Sequence, residues 1–163
     1  MSFLLDQIQA RKNQNLPLWQ NISTERVGIF GHSFGGATSI LTAANDPRIS
    51  AVIALDGWMV PVPPQTIEAG LNVPMLYMGQ PEWQGTPLNY EKLDLLISNS
   101  SGASEKLLIK ETKHMDFSDA PQFSNFAKRI GYAGKISSTE LKEILNSETL
   151  QFFNTHIRGQ GQK

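Results

Sequence analysis

Residues 26–37 read Arg26-Val27-Gly28-Ile29-Phe30-Gly31-His32-Ser33-Phe34-Gly35-Gly36-Ala37. A short apolar run leads into a serine that has a glycine two residues away on each side, and the whole reads as strand, sharp turn, helix. That is the pattern of a strained strand-to-helix elbow, which lifts a nucleophilic hydroxyl clear of a parallel sheet. Glycine is expected at Gly31 and Gly35 because such a turn crowds backbone against backbone, where a Cβ would clash. Ala37, Ile40, Leu41 and Ala44 then recur at helical spacing, so the segment after Ser33 reads as a helix to about Ala44.

Working outward, Ser2 can cap a first helix that runs to about Asn13, with Phe3, Leu4, Ile8 and Leu5 on its buried side. The elbow strand covers 27–30. Residues 51–55, Ala51-Val52-Ile53-Ala54-Leu55, are apolar without alternation, as expected of a strand covered on both faces in a parallel sheet. Prolines break 61–64 into a loop. Strands are expected at 74–79 and 106–110, with a helix between them that starts at Pro87 and carries Leu88, Leu93, Leu96 and Ile97 on its apolar side. Ser137-Ser138-Thr139-Glu140 is a capping box that opens a final helix lined by Leu141, Ile144, Leu145, Phe152 and Phe153. Strands alternating with helices at these lengths predict an α/β fold: about four parallel strands flanked by helices and joined by right-handed crossovers.

Composition narrows the function. At 163 residues and a formal charge of −1 the chain is expected to be a single domain. Its lysines and arginines are scattered rather than striped, which excludes the footprint of a nucleic-acid binder. With no cysteine, thiolate catalysis, disulfides and thiolate metal sites are ruled out. Nothing has metal-ligand spacing, and neither a metal nor another cofactor is expected. Asp6 comes too early for a signal-peptide core and no run reaches membrane-spanning length, so a cytoplasmic location is the default expectation.

A serine hydroxyl becomes a nucleophile when a base takes its proton, commonly a histidine oriented by a carboxylate. Of the three histidines, His32 lies inside the elbow and is expected to pack or to bond the loop rather than face Ser33. His156 falls in the last turn of the final helix, where a cation suits the helix dipole. His114 follows the last expected strand at the carboxyl edge of the sheet, the edge that carries Ser33, and is the candidate base. The acid is Asp56, which ends the second strand, or Glu82, in the loop after the third. Asp116 and Asp119 lie too close in sequence to His114 to orient its ring freely. Ser33, Asp56 and His114 run in the order nucleophile, acid, base. The backbone N–H of Phe34 is one oxyanion donor; a second is expected from a loop after an earlier strand, which this chain lacks. Trp58, Met59, Trp83 and Phe34 either wall an acyl pocket or belong to the core. Phe123, Phe126, Ile130 and Tyr132, with Lys128 and Arg129 between them, form either an ordinary helix packed on the sheet or a surface that touches a lipid interface.

The hexapeptide from Gly31 to Gly36, then Ile53-Ala54-Leu55-Asp56-Gly57-Trp58-Met59, then His114 with Asp116-Phe117-Ser118-Asp119, resemble the plasma-type platelet-activating factor acetylhydrolases, also called group VII phospholipases A2. The aspartate directly after the neighbouring strand, with tryptophan two residues on, favours Asp56 over Glu82. The resemblance implies a partial α/β-hydrolase fold, with the family's N-terminal strands absent. It implies Ser33 as nucleophile, Asp56 as orienting acid, His114 as base and Phe34 as oxyanion donor. The substrate it implies is a phospholipid that loses a short or oxidised acyl group from the sn-2 position without calcium. Met115 departs from the polar residue of that family. With no strand before it, the elbow strand is expected to present an apolar edge open to self-association.

Overall fold

The computed structural model describes residues 1–14, 19, 21–83, 86–120 and 129–158. Four strands, β1 (Val27–His32), β2 (Ile49–Leu55), β3 (Met75–Gly79) and β4 (Ser104–Leu108), form one parallel sheet in the order β1-β2-β3-β4. The register pairs Phe30 with Ile53, Ala54 with Tyr77 and Met78 with Leu107. Successive side chains of a strand point to opposite faces, and the buried residues divide accordingly. Val52, Ala54, Met75 and Tyr77 join one core, and Ala51, Ile53, Leu76 and Met78 join the other. This double burial is why β2 is apolar from Ala51 to Leu55.

The first core is covered by α2 (Phe34–Asn45), α3 (Pro64–Ala69) and α4 (Leu88–Asn99), which contribute Ile40, Ile67, Leu93 and Leu96. The second is covered by α5 (Ser138–Phe153), through Leu141 and Phe152, followed by a π-helical turn at Asn154–Arg158. Ser137 caps α5 by accepting from the Glu140 N–H at 3.1 Å, which is the N-cap half of the expected capping box.

Several expectations are corrected. In the helix α1 (Ser2–Asn13) Leu5 packs, partly buried, against the first core, but no residue is fully buried and Phe3 and Leu4 are exposed; Met1, not Ser2, is its N-cap. It is tied down partly by charge, since Arg48 reaches Asp6 at 2.7 Å and pairs with the buried Asp46 at 2.7 Å. On α2 the inward side is Ala37, Ile40 and Ala43, which leaves Leu41 and Ala44 outside. Pro64 opens α3 instead of extending a loop, because proline at a first helical turn loses no intrahelical bond. On α4 the buried residue of the first turn is Asn89, while Leu88 is exposed. The last strand is Ser104–Leu108, two residues earlier than expected. Most of the segment expected to be a helix or a lipid-facing surface, including Phe123, Phe126 and Lys128, lies outside the described residues; Ile130 and Tyr132 are exposed.

Candidate active site

The elbow sets Ser33 at φ 58°, ψ −120°, a left-handed backbone that costs an L-residue about 1–3 kcal/mol and persists only where its surroundings over-determine it. Here they do: Ser33 N–H donates to Leu55 O at 3.0 Å, and Ser33 O accepts from Trp58 N–H at 2.9 Å. A Cβ at Gly31 would lie 2.5 Å from the Gly35 carbonyl, and one at Gly36 would lie 2.8 Å from Gly57 Cα; one at Gly35 would meet open space. The glycine requirement therefore falls on Gly31, which passes against the first turn of α2, and on Gly36, where α2 crosses the loop after β2, and not on Gly35.

Asp56 follows β2 with its own positive φ of 42° and is fully buried. Its Oδ1 accepts from Gln80 N–H at 3.0 Å, and its Oδ2 accepts from Gln80 Nε2 at 2.9 Å and from His114 Nδ1 at 2.6 Å. Since a carboxylate can only accept, His114 carries its proton on Nδ1, which leaves Nε2 as an acceptor. Ser33 Oγ lies 2.9 Å from that Nε2. Three side chains from the ends of β1, β2 and the loop after β4 thus form one hydrogen-bonded chain at the carboxyl edge. In this order a hydroxyl can pass its proton to an imidazole whose positive form a buried carboxylate stabilises.

His114 sits in a 3-10 turn (His114–Phe117) held from beneath by Asp116, which is buried and accepts from Lys113 N–H at 2.8 Å and Gly134 N–H at 2.6 Å. Asp116 therefore shapes the turn, and Glu82, the other candidate acid, is exposed while Asp56 holds the ring. His32 donates from Nε2 to the His114 carbonyl at 3.0 Å, and its ring lies 4.6 Å from that of His114. Burial and the neighbouring His114 hold His32 below the ordinary histidine range. It is a neutral support for the turn, in line with a packing role. His156 lies against Phe152 instead, with ring centroids 4.7 Å apart and the planes tilted by 56°.

The aromatic candidates separate. Trp83 sets its ring edge-on to His114 at 4.9 Å and lines, with Gln80, Lys113, Met115 and Tyr132, a cavity of about 450 Å³. Trp58 is 40% exposed and its ring lies 6.4 Å from that of Phe34. Met59 is fully buried in the first core, and its N–H donates to Asn89 Oδ1 at 2.6 Å. It packs under the site and walls no open pocket. The N–H of Phe34 opens α2, a position that has no intrahelical acceptor.

Sequence reasoning passed over Gln80 and Asn89. Asn89 Nδ2 also donates to Gly57 O at 3.2 Å, beside Tyr77 OH at 3.2 Å on the same carbonyl, and Lys92 Nζ binds Val60 O and Val62 O at 2.6 and 2.7 Å. Tyr90 OH donates to Gln80 O. Burial first, and then the Asp56 charge, push the Tyr77 and Tyr90 phenols above their usual range, so both remain donors. The one local signal for Gln80 was its place directly after β3, where functional residues collect in parallel sheets. Among the described residues no cluster has the composition of a metal site, and no helix is long and apolar enough to cross a membrane.

Among solved structures, the chain is similar to a dienelactone hydrolase from Klebsiella pneumoniae (TM-score 0.61, 18% identity, 91% of this chain and 58% of that one). It is also similar to the α/β hydrolase GrgF from Penicillium (TM-score 0.58, 12% identity, 96% and 71%). At these identities the likeness shows the fold, a partial α/β-hydrolase sheet. By sequence it is 32% identical over 142 residues to the platelet-activating factor acetylhydrolase of Gallus gallus, covering 86% of this chain and 33% of that protein. The corresponding enzyme of Canis lupus familiaris is 28% identical over 144 residues, covering 86% and 31%. The chain thus spans about a third of the length of the relatives it matches. From residue 10 to residue 162 it fits the family model described as platelet-activating factor acetylhydrolase, isoform II, and it belongs to that family.

Proposed function

We propose that this chain carries the acyl-transfer site of a serine ester hydrolase, with Ser33 as nucleophile, His114 as general base and then acid, and Asp56 as the orienting carboxylate. The reading rests on one observation, the continuous run from Ser33 Oγ to His114 Nε2 at 2.9 Å and from His114 Nδ1 to Asp56 Oδ2 at 2.6 Å. Ser33 Oγ adds to the ester carbonyl as its proton moves to Nε2, and Asp56 stabilises the imidazolium. The tetrahedral oxyanion takes the N–H of Phe34. Collapse breaks the bond to the alcohol oxygen, which leaves with the proton from Nε2; water, deprotonated by the same nitrogen, then releases the acid and restores Ser33.

The substrate proposed is a phospholipid with a short or oxidised sn-2 acyl group, in keeping with the acetylhydrolase relatives. Trp83 and Tyr132 wall the cavity beside His114, and the rings of Phe34 and Trp58 lie 6.4 Å apart. The test is hydrolysis of p-nitrophenyl acetate and of an sn-2 acetyl phospholipid by the parent and by Ser33→Ala. Turnover that disappears in the variant, with fluorophosphonate labelling of Ser33, is the expected result; turnover unchanged by the substitution refutes it.

A second reading, that the site works only when further strands complete the sheet, is favoured by β1. It is a terminal strand of the described sheet, and Phe30 on it is 60% exposed. An exposed apolar strand invites pairing, with a partner polypeptide or a second copy. Light scattering separates the two: a monomer that turns over esters supports the first reading, and an inactive or self-associated chain supports the second.

A further inference from the structure

We propose that Gln80 is a positioning residue for the reaction: its side-chain amide fixes the rotation of the Asp56 carboxylate that holds His114. The inference rests on the esterase reading for its kinetic part and on geometry for the rest. Gln80 meets both carboxylate oxygens, with its backbone N–H on Oδ1 at 3.0 Å and its Nε2 on Oδ2 at 2.9 Å. Oδ2 is also the oxygen that holds His114 Nδ1 at 2.6 Å. The two donors therefore share one acceptor atom, and the strength of one bond depends on the other.

Gln80 is itself held in place. It is 4% exposed, its carbonyl accepts from Tyr90 OH, and a Cβ on the preceding Gly79 would lie 2.7 Å from Asp56 Oδ1. Only glycine there lets the chain leave β3 close enough for the amide fork to close on the carboxylate. With the backbone donor alone, Asp56 could rotate about Cβ–Cγ and carry Oδ2 away from Nδ1. The side-chain donor removes that freedom. No proton need move to or from Gln80 in any step.

The experiment titrates the His114 ring by heteronuclear NMR in the full chain, assigned against His114→Gln, for the parent, Gln80→Met and Gln80→Glu. Methionine keeps the backbone donor and most of the volume but removes the side-chain donor. Glutamate is isosteric with glutamine, so it reports on the site even where the methionine variant fails to fold. In both variants the imidazole signal is expected to move upward in pH from the parent, because Gln80→Met removes a donor from the oxygen that holds Nδ1 and Gln80→Glu puts there a second carboxyl that shares a proton with Asp56 in place of the neutral amide. In ester hydrolysis Gln80→Met lowers kcat about tenfold and leaves KM within about twofold. A His114 titration within about 0.2 units of the parent in the folded variants overturns the inference, because a packing role moves stability without moving the imidazole. A parent that does not turn over esters defeats the esterase reading instead and leaves the titration to decide the role of Gln80.

Discussion

The two ends of the hydrogen-bonded chain are built differently. At the acid end Asp56 is sealed from solvent and takes three donors on its two oxygens. The loop that follows it is stitched to α4 by Asn89 and Lys92. At the nucleophile end Phe34 is 61% exposed and Phe30 60%, on a strand with one neighbour among the described residues. A buried carboxylate must be fully bonded or its charge is very costly, so the acid end is determined by contacts within this chain. The nucleophile end is determined mainly by backbone geometry, which needs few side chains and leaves its surface open.

The sharpest way to break this contrast is Asp56→Asn. It should cost about 10⁴ in kcat for p-nitrophenyl acetate, as the amide no longer selects the Nδ1–H tautomer of His114. A loss under tenfold would mean that the acid end is not what orients the base. Next in size, a methyl group at Gly36 is expected to cost about 1–3 kcal/mol in urea unfolding, because it must push Gly57 away. At Gly35 the same change should be neutral or stabilise by up to about 1 kcal/mol, since it adds a helix former where nothing is displaced. Equal effects at the two positions would remove the claim that close backbone approach, rather than the serine motif as such, dictates the glycines.

Asn89→Ala tests the acid end from behind. It strands the Met59 N–H and should destabilise by about 1–3 kcal/mol, whereas Phe30→Ser at the open end should stay within about 0.5 kcal/mol. The smallest effect concerns His32. Its folded value lies below the 6.5 of a free histidine, so the unfolded chain binds the proton first. The stability this neutral ring contributes is complete above about pH 6.5 and is lost as pH falls through the folded value. His32→Gln keeps a donor for the His114 carbonyl and should flatten unfolding midpoints measured below pH 6.5; an unchanged slope would assign the acid sensitivity to other groups.

What the sequence disclosed follows the range of the interactions involved. The elbow was legible because its strand, turn and helix are contiguous and the glycines record a local steric fact, although the decisive second glycine was Gly36. The inner strands were legible because burial on two faces leaves no polar residue to confuse the pattern. Asp56 and His114 could be nominated from their places at strand ends. Gln80 and Asn89 could not, because an amide after a strand or in a first helical turn looks like any surface amide until its partner, 24 or 30 residues away, is brought beside it. The apolar start of α1 misled in the opposite direction, since Phe3 and Leu4 meet no core. The start of α3 was hidden by prolines that read equally well as loop or as helix opening.

The order of the strands has a further consequence. Because β1, β2, β3 and β4 lie side by side in the order in which they are synthesised, each new strand docks on the one made just before it. The entropy of loop closure is then met in short steps, not in one long excursion of the chain. The serine, the carboxylate and the imidazole arrive in that same succession. In a growing polypeptide the Ser33 hydroxyl and the Asp56 carboxylate precede His114, so the hydrogen-bonded chain closes only after the last crossover has delivered the imidazole.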